Sequence, residues 1–225
     1  MTTIRTVPVH EVVRQTYPRP PREGEELAMA VGRAIDSTLS RIGHDARIGR
    51  RASGSAARAL ATSLLDEEVA AAAVDLPPAE RSRLLDRLDA VVRAFRASEL
   101  YGLDRPRTRV ILVNGTVGIY AQPDYWDGRG RIFEMKSYPA VPPPPDVALQ
   151  LRLFQLAFPG FACSLVCLNR HVAPVERLRL DLDPPSPEET RSALRTACAV
   201  AEAHGETKVL EYVAGPFVAY SVALD

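Results

Sequence analysis

Apolar positions recur at helical spacing through the first hundred residues, between breaks rich in proline. No helix can run through Tyr17-Pro18-Arg19-Pro20-Pro21, because each proline removes a backbone donor and restricts the residue before it. A helix is expected to start near Glu25, with Leu27, Val31, Ile35 and Leu39 forming one stripe and Gly43 ending it. An Ala-rich helix is predicted over 56–74, carrying Leu60, Leu64 and Leu65. A third follows Pro77-Pro78 with Leu84, Leu85, Leu88, Val91, Val92 and Phe95 at helical spacing. Together they describe a helical layer.

From Thr108 the period changes. Short β-branched or aromatic runs over 109–113, 116–122 and 131–137 are separated by Gly and Asp, which predicts a meander with a hairpin turn at Asp127-Gly128-Arg129-Gly130. Four prolines at 142–145 form a stiff connector, and Asp146 is placed to cap a helix over 147–158 that Pro159-Gly160 terminates. Strands at 161–169 and 175–182, a helix over 188–204 and a terminal strand over 217–224 complete the pattern. The expected fold class is α/β, a mixed sheet of about five strands flanked by helices. One domain over 1–225 is expected, mainly helical over 1–105, with the sheet core in 106–225.

Composition sharpens this picture at a few points. A chain of 225 residues with 46% hydrophobic content can bury one core. It has no run of about 18 uncharged apolar residues, and Arg5, His10, Glu11 and Arg14 stand where a secretory signal would be apolar, so a soluble cytoplasmic protein without a membrane partner is expected. Cys163, Cys167 and Cys198 are too few for a four-thiolate cluster, so no iron-sulfur cluster is expected. Cys163 and Cys167 share one face of a strand as small hydrophobes. The 28 basic and 28 acidic residues cancel, which excludes a uniformly basic nucleic-acid binder but not a local patch. Only Lys136 and Lys208 are lysines; the other 26 basic residues are arginines. A retained lysine marks a place where a compact ammonium is needed instead of a planar fork.

The chemistry concentrates between Gln122 and Lys136. In a strand, Glu134 and Lys136 share one face while Phe133 and Met135 share the other. A hairpin centred on Arg129 sets Asp124 opposite Glu134, and two opposed carboxylates repel unless a cation lies between them. Oxygen ligands select Mg²⁺ or Mn²⁺ as that cation. Lys136 would then orient, and help deprotonate, an activated water attacking a phosphodiester. The same spacing also fits a surface hairpin with an ordinary Glu/Lys pair. The four histidines show no zinc spacing, and neither a Gly-x-Ser-x-Gly elbow nor a P-loop is present.

Pro123-Asp124 followed by Glu134-Met135-Lys136 resembles the PD-(D/E)XK nuclease superfamily. Gln150-Leu151-Arg152-Leu153-Phe154 is similar to the Gln-x-x-x-Tyr motif of its RecB-like branch, with Phe in the Tyr place. Gly32-Arg33-Ala34-Ile35-Asp36 has the spacing of that branch's glycine and metal-ligating histidine, with Asp in the His place. The resemblance covers about residues 24–160. It implies a metal-dependent deoxyribonuclease, of exonuclease type, acting on DNA beside a separate helicase or other repair or defence partner. Asp124, Glu134, the Met135 backbone carbonyl and Asp36 would hold Mg²⁺ or Mn²⁺. Lys136 would act on the water, Gln150 would position Lys136 or substrate, and Arg129, Arg131 and Arg152 would contact phosphate. Members active in CRISPR adaptation carry a four-cysteine cluster with one ligand near the N-terminus, and this chain has no cysteine before Cys163. The rival expectation is a catalytically idle nuclease fold serving as a DNA-binding or assembly module.

Overall fold

Proline and periodicity decide where most elements fall. The computed structural model describes residues 3–20, 24–172, 174–209 and 217–222. The chain runs β1 (Thr3–Pro8), α1 (Val9–Thr16), α2 (Glu25–Arg47), α3 (Gly54–Ala71), α4 (Pro78–Arg96), β2 (Arg109–Val113), β3 (Val117–Ala121), β4 (Tyr125–Trp126), β5 (Arg131–Lys136), α5 (Pro145–Ala157), β6 (Ala162–Asn169), β7 (Glu176–Leu182), α6 (Pro187–His204), β8 (Glu206–Val209) and β9 (Phe217–Tyr220). Pro21, Ala223 and Leu224, which the sequence reading assigned to the proline-rich break and the last strand, lie outside the described residues. Among the described residues no helix is long and apolar enough to cross a membrane.

The architecture is α/β, with mixed sheets flanked by helices, but the expected single sheet and its meander are corrected to two sheets. One is five-stranded in the order β8-β1-β3-β2-β9, the other four-stranded in the order β4-β5-β6-β7. The cause is β1, which the sequence reading missed. It pairs in parallel with β3, Arg5 opposite Val117 and Val7 opposite Ile119, and occupies the edge that a meander would have left for β4. Pro123, lacking an N–H, then helps release the chain from the first sheet, and β4 and β5 build the second.

The sheet containing β5 has an apolar contact on each face. Phe133, Met135, Val166 and Leu168 join the cluster of α2, α3 and α4, while Ile132, Cys163, Leu165 and Cys167 join that of α1, α5 and α6. Alternation along β5 therefore places Glu134 and Lys136 on the α5 side. Helix α5 touches strands of both sheets, so the second cluster is shared between them. All three cysteines are buried, and burial pushes the Cys163 thiol up to about 12 and Cys198 to about 11.

Gly43 does not end α2, which continues to Arg47. It lies inside the helix against Phe95, where an added Cβ would make an ordinary 3.4 Å contact with Cζ. Phe95 is fully buried, and its ring lies 5.9 Å edge-on to Tyr101 and 5.8 Å from Tyr125. Since Tyr125 follows Asp124 directly, this aromatic contact fixes the strand that carries the first candidate carboxylate. Phe95→Ala is expected to destabilise the fold by about 3–5 kcal/mol, read by urea unfolding, through lost burial and the cavity left behind.

Candidate functional site

The hairpin at residues 124–136 has the expected register. Tyr125 pairs with Phe133 and Trp126 with Ile132, so the next step along the ladder sets Asp124 against Glu134. Its turn is held by Asp127, whose Oδ1 accepts from the backbone N–H groups of Arg129 at 2.8 Å and Arg131 at 3.0 Å. Gly128 and Gly130 supply the positive φ angles of 74° and 110° that the turn requires.

Because β4 is only two residues long, the edge of β5 beyond Phe133 is free for Asp124. Asp124 Oδ2 accepts from the Met135 N–H at 2.9 Å. The N–H and C=O of one strand residue point to the same side, so the Met135 carbonyl faces this edge as well. Glu134 is 4% exposed. Its Oε1 accepts from Lys136 Nζ at 2.7 Å and from Gln150 Nε2 at 2.9 Å, while Gln150 Oε1 accepts from the same Nζ at 2.9 Å. The three side chains close a triangle, with Gln150 contributed from α5. Glu134 Oε2 is buried with no hydrogen-bond donor to it among the described residues, its neighbour being the Asp124 carboxyl, a situation that costs about 1–3 kcal/mol while both are ionised.

Burial, the nearby Asp124 charge and direct contact with that carboxyl hold the Glu134 pKa well above the ordinary carboxylate range. Burial works against the Lys136 ammonium, but the Glu134 charge and hydrogen bond, aided by Asp124, raise its pKa overall. In the metal-free protein Lys136 is thus held as an ammonium. Tyr125 keeps its phenolic proton, since burial and the Asp124 and Asp36 charges push its pKa up.

A cleft of about 500 Å³ opens over these groups and is also lined by Gly32 and Asp36 of α2. Asp36 keeps an exposed surface toward the cleft, yet protein packed around it desolvates it, and with the Asp124 charge raises its pKa to about 6. Helix α2 thus brings Asp36 to the predicted site. The ligand set is nevertheless not closed: among the described residues no three His, Cys, Asp or Glu side chains converge as a metal site would require. The fit to a hard divalent cation rests on the orphaned Glu134 Oε2 beside Asp124 and on an all-oxygen donor set.

The three expected phosphate contacts do not line this cleft. Arg131 is bound to Ser164 and Asp181, Arg152 to Gln155, Asp183 and Glu189, and Arg129 sits exposed at the hairpin turn. Asp146 does not cap α5 either; Pro144 holds that position and Arg19 takes the Asp146 carboxylate. Arg19, Tyr138 and Arg170 line the cleft instead. Arg170 follows β6, which runs parallel to β5, so the C-terminal ends of both strands lie together and Arg170 N donates to Ser137 O. A polar Asn169-Arg170-His171 turn directly after an apolar strand was the available signal, but using it required knowing the pairing.

In the metal-free protein, raising the pH should lower stability. Glu134 holds its proton to a higher pH folded than unfolded, so the folded state binds more protons above the ordinary carboxylate range. Asp124→Asn keeps an acceptor for Met135 N–H and offers Glu134 Oε2 a donor. It is expected to raise the metal-free melting midpoint by about 2–4 °C near pH 9, or ~1 kcal/mol, and to abolish any stabilisation by Mn²⁺. Thermal melts in EDTA and in Mn²⁺ measure both effects. No protein-family model, curated protein or solved structure matches the chain.

Proposed function

We propose that the protein is a divalent-metal-dependent nuclease of the PD-(D/E)XK type, hydrolysing phosphodiester bonds in DNA. The observation that carries this reading is the buried Glu134 carboxyl against the half-buried Asp124, with no donor to Glu134 Oε2 among the described residues and the Lys136 ammonium fixed on the same strand. Asp124, Glu134 and the Met135 carbonyl would hold Mg²⁺ or Mn²⁺, with Asp36 at the cleft wall as the nearest further acid. The bound ion would supply Lewis-acid polarisation of the phosphate and a lowered pKa for water.

The chain's own residues account for the rest. Lys136 places a positive charge where negative charge develops on the phosphate oxygens. Gln150 holds Lys136 and Glu134 in fixed relation, so the ammonium is oriented before substrate arrives. Recessing these groups in a cleft lowers the local dielectric and strengthens each interaction.

The deciding experiment is incubation of end-labelled DNA with the protein in Mg²⁺, Mn²⁺ or EDTA. Cleavage in either metal and none in EDTA is expected; absence of cleavage in all three rejects the reading. Lys136→Ala should lower the rate by about 10²-fold or more while leaving the fold intact. Lys136→Arg should recover little of it, because a planar fork cannot occupy the corner between Glu134 Oε1 and Gln150 Oε1. Full activity in the Arg variant would show that charge alone suffices.

A further inference from the structure

A strand at the edge of a sheet still has backbone donors and acceptors to offer a second strand. Among the described residues β8, β9 and β4 end their sheets with four, four and two residues, whereas β7 ends the four-stranded sheet with seven. Its one strand partner among them is β6. The side chains of β7 divide by face. Leu178, Leu180 and Leu182 stand opposite Cys167, Leu165 and Cys163 and pack, half-buried, on the cluster of α1, α5 and α6. Arg177, Arg179 and Asp181 take the other face, where Arg177 and Arg179 reach Glu99 at 3.3 and 3.4 Å and Arg179 lies over the Phe133 ring. Exposed Asp183 follows directly and continues the alternation.

The order of signs over 177–183, Arg-x-Arg-x-Asp-x-Asp, is its own complement when reversed. Two copies laid antiparallel about Leu180 set Arg177 opposite Asp183 and Arg179 opposite Asp181 of the second copy, and by symmetry each pair occurs twice. Leu178 then meets Leu182, and Leu180 meets itself. The neighbouring registers that keep the faces matched are penalised, since centring on Arg179 opposes two arginines and centring on Asp181 opposes two aspartates. Charges along an edge ordinarily keep a second strand away. Here their order favours one register instead.

We infer that β7 is a homodimerisation edge, on which a second copy of this chain pairs antiparallel about Leu180. The pairing joins two four-stranded sheets into one and covers the exposed flanks of the three leucines. It uses no residue of the candidate site, so it stands apart from the nuclease reading.

The test is sedimentation equilibrium of the full chain in EDTA, as wild type, Arg177→Glu, Asp183→Arg and the double variant carrying both. Wild type should show a monomer to dimer equilibrium. Each single variant sets like charges opposite each other at two symmetry-related places and should weaken self-association about tenfold or more. An equimolar mixture of the two single variants restores opposite signs at both places and should dimerise like wild type. The double variant should do the same, and its recovery also shows that neither substitution prevents folding. A wild type that stays monomeric up to its solubility limit overturns the proposal. So does a dimer that both single variants leave unchanged, or a mixture that associates no more tightly than its components.

Discussion

Two carboxyls facing each other, one of them buried, resist both being charged unless something positive stands beside them, and the architecture around Asp124 and Glu134 answers to that constraint. Lys136 supplies part of the compensation from two residues along the same strand, and Gln150 reaches in from α5 to hold it there. One Glu134 oxygen is left without a donor among the described residues, so the arrangement is electrostatically incomplete as it stands. Such a centre is poised to take up a proton or a cation, at the expense of some stability of the fold.

The sheets and helices converge on that centre from three directions. The two-residue β4 leaves an edge to which Asp124 bonds at Met135, and the parallel pairing of β5 with β6 gathers their C-terminal ends. Helix α2 lines the cleft beside these strands with Gly32 and Asp36. The apolar groups beneath are conventional: the Phe95 ring, wedged against Tyr101 and Tyr125, ties the helical layer to the strand that matters most.

What could be read from the residues was what local geometry dictates. Turn residues at 127–130 set the hairpin register, and strand alternation put Glu134 and Lys136 together, so Asp124, Glu134 and Lys136 were legible from spacing, while Gln150 was legible only through the motif resemblance. Division into two sheets was not, because it depends on β1 meeting β3 across more than a hundred residues of chain. Arg170 escaped for the same reason, since only the parallel β5–β6 pair brings it near Lys136. Lysine scarcity was a partial guide: Lys208 is an ordinary surface cation, 3.1 Å from Glu206 and above the Tyr120 ring, while Lys136 sits in the triangle.

The place of β1 carries a consequence for how the chain assembles. It lies inside the five-stranded sheet, between β3 and β8, although it precedes every other described element in sequence. Its partners begin at Val117 and Glu206, so its backbone groups wait for nearly the whole chain before their ladder is complete. The helices α2 to α4 can pair through short connections long before then. Contacts of such high sequence separation slow folding, because loop closure precedes any gain from pairing. During synthesis this leaves an unpaired strand with β-branched Thr3, Ile4, Thr6 and Val7, a natural point for misassembly between nascent copies.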